Sequence, residues 1–217
     1  MAPRVKICCI SSESEAQLAI RYGASALGLV GAMPSGPGVI TDEQICAIAQ
    51  QVPPPVATFL LASETDAPAI VAHQQRVQTN TVQIVDTLTS GTYYDIRHAL
   101  PGVKLVQVIH VVDEASVDEA LRIGEHVDAI LLDSGNPALA VKELGGTGRV
   151  HNWRISRRIR EQLDKPIFLA GGLRPDNVRE AIATVGPFGL DLCSGVRTGG
   201  KLDERKLAAF FEAIAIG

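Results

Sequence analysis

Eight short apolar runs rich in β-branched residues recur along the chain, each followed by an amphipathic stretch, and no other feature narrows the fold as far. The runs are Val5–Cys8, Ala26–Val30, Val56–Leu61, Thr81–Val85, Lys104–His110, Ala129–Asp133, Pro166–Ala170 and Leu190–Cys193. Unbroken apolar character of this length is that of strands covered on both faces. The intervening segments carry helix signals. Ser12-x-x-Glu15 and Thr41-x-x-Gln44 match the capping box, Asp113 and Asp203 are N-cap candidates, Pro175 suits a first helical position and Gly23 a C-terminal cap. A strand–helix unit repeated eight times implies parallel strands joined by right-handed crossovers. A closed (β/α)8 TIM barrel, one domain over residues 1–217, uses all eight strands and leaves no edge. The alternative, an open doubly wound sheet, more usually has about six strands.

Composition removes several function classes. Lys plus Arg number 20 against 24 Asp plus Glu, a net charge of −4, and aromatics are 4%. Neither a phosphate-backbone binder nor a single-strand stacking surface has that profile, so no nucleic-acid partner is expected. The basic stretch Arg154–Arg160 reads as a solvated helix face. No segment approaches the ~18 uninterrupted apolar residues of a membrane span, and the N-terminus does not resemble a signal peptide. The four cysteines, Cys8, Cys9, Cys46 and Cys193, contain no Cys-x-x-Cys pair. We therefore expect reduced thiols in a cytoplasmic protein, with no metal site.

In a barrel the chemistry stands at the C-terminal ends of the strands. Those ends offer Cys8, Gln83, His110, Asp133, Gly171-Gly172 and Ser194-Gly195. Turns after strands seven and eight are where such barrels hold phosphate, and glycine lets backbone N–H groups approach its oxygens. The long stretch Ser134–Val150 adds Gly145-Gly146-Thr147-Gly148. Asp133 ends a buried run and is either a loop hydrogen-bonder or a carboxyl tuned by burial to act as an acid. Cys8 is either a small buried hydrophobe or a thiolate favoured by Lys6, two residues earlier on the same strand face.

These residues occur in an order that is known. Val5-Lys6-Ile7-Cys8, Ala26-Leu27-Gly28-Leu29-Val30, Val82-Gln83, Leu131-Leu132-Asp133-Ser134, Gly145-Gly146-Thr147-Gly148 with Trp153 beyond, Leu169-Ala170-Gly171-Gly172-Leu173-x-Pro175-x-Asn177-Val178 and Asp191-x-x-Ser194-Gly195-Val196 cover nearly the whole chain. The sequence resembles the phosphoribosylanthranilate isomerases of tryptophan biosynthesis. That resemblance implies a (β/α)8 barrel, monomeric or homodimeric, converting an aminoaldose phosphate into an aminoketose phosphate by Amadori rearrangement with no cofactor. It implies Cys8 as general base, Asp133 as general acid, and Gly146, Thr147, Gly172, Ser194 and Gly195 around a small phosphorylated sugar.

The sequence also departs from the family pattern. Cys9 stands where the family has Gly after Lys-Ile-Cys. Met33–Val39 lacks the Arg that grips the anthranilate carboxylate. Val82-Gln83-Ile84-Val85-Asp86 replaces Val-Gln-Leu-His-Gly, and Cys193-Ser194-Gly195-Val196-Arg197 replaces Ser-Ser-Gly-Val-Glu. Losing the Arg removes a charge-assisted contact. Arg197 and His110 are the candidates to replace it, with Lys6 and Gln83 as further substrate contacts, and Asp86 would disfavour a carboxylate. The expectation is an isomerase of this type acting on its usual substrate or on one with a shifted aglycone. A non-catalytic phosphometabolite sensor is the competing class. A Schiff-base aldolase is disfavoured because Lys6, Lys104 and Lys142 do not stand at strand C-terminal ends in an apolar pocket pattern.

Overall fold

The computed structural model describes residues 2–135, 144 and 148–215. Eight parallel strands pair in sequence order and close on themselves: β1 (Arg4–Ile7), β2 (Ala26–Val30), β3 (Ala57–Ala62), β4 (Thr81–Ile84), β5 (Lys104–His110), β6 (Ala129–Asp133), β7 (Ile167–Leu169) and β8 (Gly189–Leu192). The seam is sealed by β1 against β8, with Lys6 opposite Asp191 and Ile7 opposite Leu192. The helices between and after them are α1 (Glu13–Arg21), α2 (Asp42–Gln51), α3 (Ala67–Val77), α4 (Tyr93–Ala99), α5 (Ala115–Gly124), α6 (Trp153–Gln162), α7 (Val178–Val185) and α8 (Glu204–Ala215). The expected closed barrel is therefore present, and the open sheet is not.

Strand parity divides the core into two layers. Side chains alternate across a strand, so Ile7, Leu27, Leu29, Leu60, Ile84, Leu105, Ile130, Leu132, Leu169 and Leu190 meet the helices. The opposite set, including Cys8, Ala26, Phe59, Leu61, Val106, Val108, Leu131 and Phe168, fills the barrel. Phe59 and Phe168 close the lower interior edge-to-face, with ring centroids 5.8 Å apart. The same parity turns Lys6 and Cys8 of strand one, Gln83 of strand four, Asp133 of strand six and Asp191 of strand eight inward.

Local signals were read with mixed success. The capping box at Thr41 is complete, with Gln44 N–H donating to Thr41 Oγ1 and Thr41 N–H to Gln44 Oε1. At Ser12 only half of it forms. Ser12 Oγ accepts from Glu15 N–H, but the Glu15 carboxylate is drawn away to Ser11 N–H, Leu202 N–H and Arg197. Gly23, at φ +102, follows the α1 C-cap Tyr22 as expected. Pro175 does not open α7. Asn177 is its N-cap, and its Oδ1 accepts from Arg174 N–H to hold the preceding turn. A short hairpin, β9 (Arg197–Thr198) with β10 (Lys201–Leu202), was not foreseen. Among the described residues no helix is long and apolar enough to cross a membrane.

Candidate active site

The C-terminal mouth of the barrel opens into a cleft lined by Cys8, Gln83, Asp133, Gly172, Asp191, Ser194 and Gly195, with Met33, Ser35, Gly36 and Pro37 on the strand-two side. With Leu61 of β3 added, seven strands converge on one cavity of about 680 Å³, part of it open to solvent. Gly146 and Thr147 lie outside the described residues.

Asp133 is 7% exposed. Burial lifts its carboxyl above the ordinary range, and the Asp191 charge adds to that; the Ser134 N–H, His110 and Lys6 oppose it without cancelling it. Its Oδ1 accepts from Ser134 N–H at 2.7 Å. A shift in this direction is the one that suits a carboxyl to act as a proton donor.

Cys8 faces it from strand one, above Lys6. The Lys6 ammonium is fully buried and held by two partners, Asp191 Oδ1 at 2.9 Å and the Phe59 ring at 5.2 Å. Burial alone would lower the Lys6 pKa, but Asp191 and the neighbouring thiols outweigh it and keep the charge in place. The three groups fit together only because position 28 carries no side chain. A Cβ there would stand 2.8 Å from Cys8 Sγ and 3.1 Å from Lys6 Nζ. Lys6 itself does not line the cleft; it forms the charged floor beneath Cys8.

Gln83 lines the cleft, and its Oε1 is buried without a hydrogen-bond partner among the described residues. Such a group costs about 1–3 kcal/mol until something donates to it. His110 is placed less favourably. Its Nε2 bonds the Val85 carbonyl at 3.0 Å and its ring is outside the cleft lining, although it pairs in register with Asp133. Asp86 is turned back onto Thr87 N–H and does not line the cleft either.

Arg197 corrects an expectation. It is 8% exposed and points away from the cleft, with Nη1 and Nη2 on Glu15 Oε1 and Oε2 at 3.1 and 3.0 Å. It also donates to the carbonyls of Gly200, Cys8 and Cys9. Its Nη atoms are committed to Glu15 and three backbone carbonyls, so in this structure it braces the end of β1 and is not among the cleft-lining residues. Beside it, Gly38 adopts φ +83 and a Cβ on it would stand 2.5 Å from Cys9 Cβ, so position 38 has no room for a side chain.

The turns after β7 and β8 are packed into one another. Gly172 adopts φ +62, and a Cβ on it would meet Gly148 O and Arg149 C at 2.8 Å; a Cβ on Gly195 would meet Leu173 O at 2.0 Å. Only glycine fits either position, and the backbone so exposed faces the cleft where barrels of this kind hold phosphate. Asp191 is the site residue that sequence reasoning left without a role. Its inward parity with Lys6 across the β1–β8 seam was the available signal.

Comparison with known proteins gives this geometry a family. A family model described as N-(5'phosphoribosyl)anthranilate (PRA) isomerase matches residues 5–213. The N-(5'-phosphoribosyl)anthranilate isomerase of Methanosarcina acetivorans is 34% identical over 97% of this chain and 92% of its own length. A phosphoribosylanthranilate isomerase solved in complex with reduced 1-(o-carboxyphenylamino)-1-deoxyribulose 5-phosphate superposes with a TM-score of 0.78 at 27% identity, over 99% of this chain and all of that one. A dimeric relative from Thermotoga maritima, solved as engineered monomers, gives 0.79 at 26% identity over the same shares. With fold, motif order and whole-length similarity in agreement, the chain belongs to the N-(5'-phosphoribosyl)anthranilate isomerase family, a family of enzymes.

Proposed function

We propose that the cleft isomerises a 5-phosphoribosylamine by acid–base catalysis, with Asp133 as the acid and Cys8 as the base. Asp133 protonates the furanose oxygen as the ring C1–O bond breaks, leaving an iminium at C1. The Cys8 thiolate then removes the proton from C2, and the resulting enolamine tautomerises to the aminoketose. The substrate phosphate rests on the turns that carry Gly172, Ser194 and Gly195. Gln83 Oε1 accepts from a sugar hydroxyl. The observation that carries this reading is a buried carboxyl with a raised pKa sharing one cleft with Cys8 and the two glycine turns. Lys6 supports the thiolate from below. No cofactor enters the reaction, and the enzyme acts as a monomer or homodimer.

The aglycone is read separately. Among the described residues that line the cleft there is no Lys or Arg, while Asp133 and Asp191 both line it. Without a cation among those lining residues the cleft offers anthranilate's carboxylate no charge-assisted grip, which favours an amine without a carboxylate. The discriminating experiment mixes ribose 5-phosphate with either anthranilate or aniline to form the two phosphoribosylamines in situ. Turnover is followed by fluorescence for the first and by product analysis for the second, with Cys8→Ala as control. The shifted aglycone predicts kcat/KM for the aniline compound equal to or above that for anthranilate. A preference of about 10²-fold for anthranilate, the worth of a charge-assisted grip, overturns the shift and leaves the mechanism standing. No Cys8-dependent turnover of either, with phosphosugars still raising the melting temperature, favours the sensor.

A further inference from the structure

Two of the residues that depart from the family pattern meet in space. Cys9 ends the turn after β1, and Cys193 follows β8, on the far side of the seam that closes the barrel. Their sulfurs are 2.7 Å apart. Cys9 is buried at 5% exposure, and Cys193, more open, lines the cleft beside Ser194. Cys9 also sits at φ +62, a left-handed conformation that suits the family's glycine and strains a side-chain-bearing residue. A thiol kept at a strained position, in contact with a second thiol that is equally foreign to the family pattern, is not explained by packing.

We propose that Cys9 and Cys193 are a redox-active dithiol, forming a reversible disulfide that ties the end of β1 to the turn after β8. A covalent bond of about 2.05 Å requires the sulfurs to close by less than about 1 Å. The oxidant is a small aliphatic disulfide of the glutathione type, and the route is thiol–disulfide exchange. The Cys193 thiolate attacks one sulfur of the disulfide, forms a mixed disulfide and expels one small thiolate. Cys9 then gives up its proton and attacks the Cys193 sulfur, expelling the second thiolate. The protein loses two electrons and two protons, and two small thiols are formed. The order of attack follows from the site. Cys193 is the sulfur open to solvent, and the Cys9 thiol together with the Arg197 charge favours its thiolate against the effect of burial. Cys9 is held in the thiol form by the same contact. Cys8 Sγ abuts Gly28 and also meets the Cys9 thiol, but a bridge between adjacent residues is strained, and Cys8 stays free.

The inference does not depend on which sugar phosphate the cleft accepts. The test incubates the whole protein with excess glutathione disulfide, blocks remaining thiols by alkylation, and maps the peptides by mass. The expected result is a fall from four alkylatable thiols to two, a Cys9–Cys193 crosslink, and full reversal by dithiothreitol. Cys9→Ser should stop at a stable glutathione adduct on Cys193, and Cys193→Ser should form neither adduct nor crosslink there. Cys46→Ser, on α2 away from the pair, should behave as wild type and show that substitution alone does not disturb the outcome. A wild-type protein that keeps four thiols, that halts at the Cys193 adduct, or that links Cys8 instead overturns the proposal.

Discussion

The Glu15–Arg197 pair is the sharpest place to test how the site is held, because both charges are almost wholly withdrawn from water. Glu15 is 9% exposed and Arg197 8%. The carboxylate takes both guanidinium nitrogens and the N–H groups of Ser11 and Leu202. Removing one member of such a pair leaves the other charge buried, which costs about 3–5 kcal/mol. For a domain of this size each kcal/mol moves the midpoint by roughly 2–4 °C, so Glu15→Ala should melt about 6–20 °C lower. The double variant Glu15→Met with Arg197→Met should recover much of that loss, since no charge is stranded. It should not recover all of it, because the carbonyls of Cys8, Cys9 and Gly200 lose their donor, at about 1–3 kcal/mol for each one left unpaired. With Glu15→Met and Arg197→Met as the single variants, wild type, the two singles and the double form a double-mutant cycle, read by urea denaturation at pH 7. Acid gives an independent check. Burial would raise the Glu15 pKa, but Arg197 and the two backbone donors hold it below its ordinary 4.5. Its contribution is therefore full above about pH 4.5 and is lost as pH falls through the depressed value, and that loss should disappear in Arg197→Met. A cost below about 1 kcal/mol for Glu15→Ala would refute the reasoning.

Other expectations follow from single groups. Asp133→Asn should lower kcat by about 10²–10⁴-fold yet raise the melting temperature at pH 7, since a carboxyl whose pKa is raised by burial destabilises the fold once ionised; the gain should vanish toward pH 4. Gly28→Ala should lower kcat by about 10²-fold, because its methyl group displaces Cys8 Sγ and Lys6 Nζ together, and alkylation kinetics of Cys8 will report the displacement. His73 is paired through Nδ1 to Glu64 at 2.7 Å and through Nε2 to Asp42 at 3.1 Å, and the Glu64 bond raises its pKa. Its stabilisation should be complete below about pH 6.5 and fade as pH rises through the raised value, so His73→Leu should flatten the melting temperature between pH 6 and 9.

Much of the architecture was legible because two periodicities agreed. Apolar runs gave the strands, and the C-terminal ends of those runs gave Cys8, Gln83 and Asp133 as candidate site residues. What escaped is non-local. The Ser12-x-x-Glu15 pattern reads as a capping box, yet the Glu15 carboxylate is claimed by Arg197, 182 residues away in the chain. That one long-range partner undid two readings at once, the closed box and Arg197 as a substrate contact. Pro175 misled for a related reason. The turn it occupies is held by Asn177 against Arg174 and Gly172, so the helix starts beyond it.

The departures from the family pattern make the same point about the site. In sequence they are scattered: a cysteine for glycine at position 9, a stretch without Arg from Met33 to Val39, a cysteine at position 193. In space they form one wall. Cys9 Cβ stands against Gly38, and Cys9 Sγ touches Cys193 Sγ. Any side chain at position 38 competes with Cys9 for one volume, so placing a basic residue there alone should fail. Gly38→Arg should destabilise the fold by strain at a positive φ and by collision with Cys9. Adding Cys9→Gly should relieve the collision with the Cys9 side chain, leaving the close approach to the position-9 Cα at 2.9 Å and a backbone strain of about 1–3 kcal/mol. Urea titration of the single and double variants measures that relief. A double variant no more stable than Gly38→Arg would show that the wall is not shared.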